Sequence, residues 1–400
     1  MLSSQGSPYD PHVPDQAAAA WFEGWGHAAW NNSLVTAFYQ PQNARQPVIQ
    51  SLQNLQLNVS TRGGGGAVLA DPEVQTPPNF TIRDPAGQLD WRIEGDNCSI
   101  AAVLGSMRVQ IECIGPPKNW GPAGRGPEGL AAGVPTWLTG LHWFVYSVGT
   151  PVRYTIAEDG KAPITGLGLA HMEKNWGLGF PDGWLWAQGL NATSSSSNSS
   201  SPALQAAFTV AGGQIPSPLV PGGWLPDAWL LGVRTVNHSW DFHLYDSIFT
   251  AQSDPCSTKL LPNSTFNITA LQPLSRREVR IEISAATDSF EPVDCPTKLG
   301  FMPFSVESFT ATATVRLFEW EFNPSGEKEW LQKRIVEAFT LHNVALEYGG
   351  DRRCGQQAQH GQQHDVTQGG DMGQPSSSRW IAGLLQSMTG GNGVVADEDQ

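Results

Sequence analysis

The sequence predicts an all-β chain made of two groups of antiparallel strands packed together. Three observations carry that expectation. Gly and Pro are abundant, at 43 and 30, while charged residues make up only 15% of the 400 residues. This mix suits short strands joined by tight turns, and no long helical period competes with it. Apolar and polar residues alternate in several segments, as a half-buried strand requires. Strand-like segments also recur on both sides of about residue 165. Closed or nearly closed antiparallel barrels fit this pattern, because they remove exposed strand edges and can enclose an apolar ligand.

In chain order, residues 1–18 read as a disordered polar arm and 19–165 as a first β domain. "RGGGGAV" at 62–68 is a turn rather than a phosphate loop, since no GK[ST] follows it. "CSIAAVLGSMRVQIEC" reads as a hairpin. A two-residue Gly105-Ser106 turn sets Leu104 opposite Met107 and Cys98 opposite Cys113, within disulfide reach. Residues 115–135 form a long Pro/Gly connection of the kind that often lies over a site. "GLHWFVYSV" and "VRYTIAEDGKAPITGL" read as a hairpin or meander.

Residues 166–350 read as a second β domain. "ALQAAFTVAGGQIP" and "DAWLLGVRTVNHSWDFHLY" give two or three strands after the solvated insertion "NATSSSSNSSSP". "REVRIEIS" places Val279, Ile281 and Ile283 on one face. In "FTATATVRLFEWEF" the phase slips from Phe309, Ala311, Ala313, Val315 and Leu317 to Phe318, Trp320 and Phe322, which a bulge near Leu317 explains. "LQKRIVEAFTLHNVALEYGG" has a helix-compatible start and ends as a final strand. Residues 351–400 read as a disordered Gln/Gly/Ser-rich tail.

The net charge of −14 argues against nucleic acid or anionic lipid as a partner. No apolar run approaches the ~20 residues of a transmembrane helix, and the N-terminus matches neither a signal peptide nor a transit peptide. The sequence assigns no oligomeric state. Glycosylation acceptors of the form N-x-[ST] occur at Asn31, Asn58, Asn79, Asn97, Asn191, Asn198, Asn237, Asn263 and Asn267. A chain of this composition carries only about two or three by chance, so the excess points to the secretory pathway. Cysteine usage agrees: Cys98–Cys113 is the expected first disulfide, Cys256–Cys295 the natural second, and Cys354 is left over.

The densest chemistry lies in "HMEKNWGLGFPDGWLWAQG", residues 171–189. It resembles the signature EKNW-x-x-x-FP-x-x-W-x-W-x-Q of the tocopherol cyclase family, met at Glu173, Lys174, Asn175, Trp176, Phe180, Pro181, Trp184, Trp186 and Gln188. "FEGW" at 22–25, "GLHWFVYSV", "TVAGGQIP" and "LHNVALEYGG" resemble further family segments in the same order. The resemblance covers roughly residues 20–350. It implies a pair of lipocalin-like β barrels, a hydrophobic prenylated aromatic or lipid ligand, no cofactor, and plastid localisation as the alternative to secretion.

Chromanol ring closure in that family needs a proton for a trisubstituted alkene, a dry pocket, and π faces beside the cation. Glu173 is the expected acid, with Glu23 as its rival, and Asn175 the expected partner of the ligand oxygen. Lys174, Trp176, Phe180, Trp184, Trp186, Gln188, His142 and Trp143 are the expected walls. Strand alternation sends Glu173 and Asn175 to one face and Lys174 and Trp176 to the other. Against the acid stands a second role, in which Glu173 and Lys174 form a paired polar bolt between the two barrels. A non-catalytic lipid carrier and a sugar-binding tryptophan platform are the competing functions. No hydrolase elbow, HExxH or paired CxxC is present, so no metal is expected, and His360 and His364 lie in the polar tail.

Overall fold

The structure is a computed structural model. It describes residues 22–23, 27–28, 32–39, 48–53, 58–61, 79–94, 97–116, 120, 126–134, 141–177, 180–193, 202–214, 227–255, 263–297, 300–322 and 331–353. The expected arm at 1–18, the Gly-rich turn at 62–68, the Ser-rich insertion from 194 and the tail beyond 353 lie outside the described residues. So do Asn31, Asn198, Cys256, Cys354, His360 and His364.

The chain is all-β. The early strands are β1 (Phe22–Glu23), β2 (His27–Ala28), β3 (Asn32–Tyr39), β4 (Val48–Gln53), β5 (Asn58–Thr61) and β6 (Asn79–Arg83). Next come β7 (Leu89–Glu94), β8 (Asn97–Leu104), β9 (Met107–Cys113), β10 (Leu141–Glu158) and β11 (Ile164–Gly177). Then follow β12 (Gly183–Thr193), β13 (Ala203–Gly213), β14 (Ala228–Thr235), β15 (Ser239–Phe242) and β16 (Ile248–Asp254). The last are β17 (Asn263–Gln272), β18 (Arg277–Ala286), β19 (Glu291–Thr297), β20 (Gly300–Phe322) and β21 (Leu331–Gly350). Two antiparallel sheets result. The first runs β4-β3-β2-β1-β11-β10-β9-β8-β7-β6-β5, and the second β15-β14-β13-β12-β21-β20-β18-β17-β16, with β19 added on β20.

The change of sheet falls between Gly177 and Gly183, not at the expected residue 165. β10 and β11 form one long hairpin, with Ile156 paired to Ile164 and Leu141 to Gly177, so a cut at 165 would sever it beside its turn. The helix-compatible start of "LQKRIVEAF" is strand instead. It is paired to β20 from Phe322–Leu331 onward, and the cross-strand ladder overrides local propensity. The expected slip in β20 is present as a register shift between Leu317 and Phe318. Ala311, Ala313, Val315 and Leu317 are fully buried before it.

The second sheet curls into a half-barrel. Its β15 edge is drawn toward β17, where the Gln272 side-chain amide donates to the Asp241 carbonyl at 3.2 Å. The concave face is filled by side chains. Phe208, Leu231, Phe242, Phe266, Ile281, Val315 and Tyr348 are all buried there. Trp229 stacks on Phe266 at 5.4 Å, and Arg277 lies over Trp240 at 5.2 Å. The first sheet buries Phe80, Ile82, Ile93, Leu104, Phe144, Tyr146 and Trp176 on its own inner face.

The expected hairpin register holds at β8–β9, with Leu104 paired to Met107 across Gly105, whose φ is +60°. It brings Cys98 and Cys113 to a Cα separation of 5.0 Å, and they form a disulfide. The second bridge expected at Cys256–Cys295 is not supported at its described end. Cys295 is a buried free thiol, turned inward to the Ser305 hydroxyl at 3.2 Å. Among the acceptor asparagines whose side chains are described, Asn97, Asn191, Asn237, Asn263 and Asn267 are all exposed.

The disulfide closes a loop of 15 residues. Replacing both cysteines by serine is expected to lower unfolding free energy by about 2–3 kcal/mol in urea melts. Reductant should shift the wild type by the same amount and leave the double variant unchanged.

Candidate functional site

The two sheets meet on a tryptophan-rich seam. Trp143, Val145 and Val148 of β10 pack with Trp186 of β12, Leu204 and Ala211 of β13 and Leu230 of β14. The two-residue period of β10 and β11 decides what enters it. Val145 pairs with Glu173 and Trp143 with Asn175, so these four share the seam face. His142 pairs with Trp176 on the opposite face, where the two rings stack at 5.2 Å in the first sheet's core. Lys174 stands opposite Phe144 and Glu23 opposite Trp176 in the backbone ladders; their side chains lie outside the described residues.

Glu173 acts across the seam. The Trp186 indole N–H donates to its Oε2 at 3.1 Å, and His171 Nε2 lies 2.8 Å from the same oxygen. The Lys174 half of the expected bolt lies outside the described residues, and the bond that joins the sheets runs from Trp186 to Glu173. It joins an N–H to a carboxylate, the stronger class of hydrogen bond.

On the convex face of the half-barrel, β12 alternates Trp184, Trp186 and Gln188 toward the seam against Leu185 and Ala187 in the core. Trp186 pairs with Glu347 of β21, and Glu347 with Glu307 of β20. Three strands thus set an indole and two carboxyls in one row, with Glu173 facing them from the other sheet. Trp184 Nε1–H donates to Glu347 Oε1 at 2.7 Å. Phe180 packs on Trp184 at 4.9 Å. Gly349 makes this possible: the Trp184 ring occupies the space where a Cβ at residue 349 would stand. Gly232 offers the same kind of slot to Trp120, which the 115–135 connection carries into the seam. That connection is clamped by Glu128, which accepts from the Trp143 backbone N–H at 2.6 Å and pairs with His142 Nδ1 at 2.7 Å.

Directly opposed carboxylates repel, and burial disfavours their charged form. Glu307, 8% exposed, is held well above the usual carboxylate range by burial first, then by Glu347 and Glu173. Glu347 is pushed up to about 7. Burial drives that shift, hydrogen bonds from Trp184 and Ser305 oppose it, and Glu173 adds to it. The arrangement keeps a carboxylic acid protonated near neutrality against tryptophan. Sequence reading placed Glu173, Asn175, Trp143, Trp184, Trp186 and Gln188 in a site, and the seam brings them together. It missed Glu307 and Glu347, although each stands as a lone charge in an otherwise buried strand pattern, "FSVESF" and "VALEYGG". Every tryptophan with a described side chain is buried or half-buried, so none forms the exposed platform that sugar stacking requires.

No group of His, Cys, Asp and Glu suited to a metal ion is found among the described residues. No helix of the described residues is long and apolar enough to cross a membrane. No protein-family model matches the chain, and no curated protein matches it.

The raised carboxyls carry a pH signature. The folded chain holds the Glu347 proton up to about 7, while the unfolded chain releases it near the ordinary value of 4.5. The stability this group supports is fully present below that lower value and is lost as pH rises through the upper one. The loss amounts to at most about 3 kcal/mol. Melting temperature is expected to fall between pH 5 and pH 8, and the fall should be shallower in the E307Q/E347Q double variant. Parallel profiles would exclude these carboxyls as its source.

Proposed function

We propose that the chain binds a hydrophobic, prenylated aromatic small molecule at the seam and closes it to a chromanol by acid catalysis. The observation that carries this reading is the acid pair Glu307–Glu347 beside Trp184 and Trp186. The resemblance of residues 173–188 to the tocopherol cyclase signature supports the substrate class. We assign the proton to Glu347, because burial holds its carboxyl up to about 7 directly beside the Trp184 indole.

The step balances as an isomerisation. The Glu347 carboxyl gives its proton to the less substituted alkene carbon, and a tertiary cation forms at the other. The Trp184 and Trp186 π faces stabilise that cation. The phenol oxygen bonds to the cationic carbon, and its proton returns to the carboxylate. Hydration of the alkene would follow the same course with water as nucleophile. The acid is protonated below about 7, so turnover is fastest at mildly acidic pH and falls above neutrality.

A non-catalytic carrier on the same scaffold is the second reading, favoured by the Glu173–Trp186 bond, which gives the motif a structural role of its own. Incubation with a prenylated hydroquinone separates the two. The wild type is expected to form chromanol, and E347Q to form it at least about 100-fold more slowly. Ligand retention without product in the wild type would leave the carrier.

The Cys98–Cys113 disulfide fits a non-cytosolic protein. We place the chain in the secretory pathway, supported by nine acceptor sequons, of which all five with described side chains are exposed. Enzymatic removal of N-glycans is expected to increase the native protein's gel mobility. An unshifted band would reject secretion and leave the plastid.

A further inference from the structure

We infer that the seam contains a subsite for a neutral hydrogen-bond acceptor, a quinone-type carbonyl or ether oxygen on an apolar ring. Besides His171 Nδ1 on the Glu173 strand, four polar atoms there are buried without a partner among the described residues: Trp120 Nε1, Trp143 Nε1, Gln188 Nε2 and Thr209 Oγ1. Trp120, Trp143 and Thr209 are 0%, 5% and 1% exposed. Buried polar groups are nearly always satisfied, so four together in one region point to a missing partner.

Their placement is mutual. Gln188 and Thr209 are directly paired across β12 and β13, and Thr209 pairs in turn with Gly232, the slot that holds the Trp120 ring. Trp120 meets Trp143 of the other sheet edge-on at 5.6 Å. The donors thus come from both sheets and one loop, one strand-period from the Trp186 row that carries the acid.

Their chemistry selects the ligand atom. Indole N–H groups donate and never accept, and a side-chain amide nitrogen likewise only donates. Three of the four atoms therefore ask for an acceptor, and the Thr209 hydroxyl serves either role. An anion is disfavoured by Glu173 and Glu347 nearby and by the surrounding Val145 and Leu230. A neutral oxygen remains. This subsite rests on the proposed binding of a prenylated aromatic and orients its ring so that the alkene reaches Glu347.

Thr209→Val and Gln188→Leu test it, with 2-prenyl-1,4-benzoquinone and prenylbenzene as probes in equilibrium dialysis. Replacing an unpartnered buried hydroxyl by an isosteric methyl leaves the free protein as stable or more so. The wild type is expected to bind the quinone at least about tenfold more tightly than prenylbenzene. Each variant should lose most of that advantage while its affinity for prenylbenzene stays constant. Equal affinity of the wild type for both probes, binding of neither, or variants that gain stability and keep their quinone affinity would each overturn the subsite and leave the donors to water. Quinone preference that the variants lose, combined with no chromanol from the hydroquinone, keeps the subsite and removes the catalytic reading instead.

Discussion

A hydrogen bond between two sheets organises this molecule: the Trp186 N–H donating to the Glu173 carboxylate. Each partner is fixed by a strand whose other face is committed to a core. Trp176 and Met172 anchor β11 in the first sheet, and Leu185 and Ala187 anchor β12 in the second. A slip of one residue in either strand would turn its seam residue into a hydrophobic core and its core residues outward. The seam chemistry is therefore as rigid as the two cores, and the acid pair, the glycine slots and the unpartnered donors all depend on that register.

Much of this was legible in alternation. The β8–β9 hairpin, the Cys98–Cys113 disulfide and the phase slip at Leu317 follow from which side chains must share a face, a local property that sequence carries directly. The change of sheet after Gly177 was harder to read, because a sheet boundary is set by which strands pair and not by composition. The helix-compatible start of β21 misleads for a related reason. Its residues meet β20 only through a fold-wide pairing that a local window does not see.

The site was half legible. Glu173, Trp186 and Gln188 stand out because charge and amide sit among tryptophans within one short segment. Glu307 and Glu347 are 40 residues apart in sequence and become an acid pair only when β20 and β21 align. Their elevated proton affinity comes first from burial in the folded seam, and then from the carboxylates that the strand alignment and the other sheet bring close. The motif thus marks the place of the chemistry, while the proton belongs to residues outside it. Cys295 teaches the converse: a cysteine that looks paired by elimination is occupied by the Ser305 hydroxyl once its strand is folded.

The pairing of β12 with β21 joins Trp184 to Glu347 across a separation of 163 residues. At a ribosome, β12 is complete long before its partner has been translated. Its edge stays open through the synthesis of eight further strands, and non-local strand pairing of this kind is slow and exposed to aggregation. Acid pair and tryptophans consequently come together only in the final assembly step, so partly synthesised chains carry the signature segment but not its chemistry. An enclosing chaperone during that interval would protect the nascent edge.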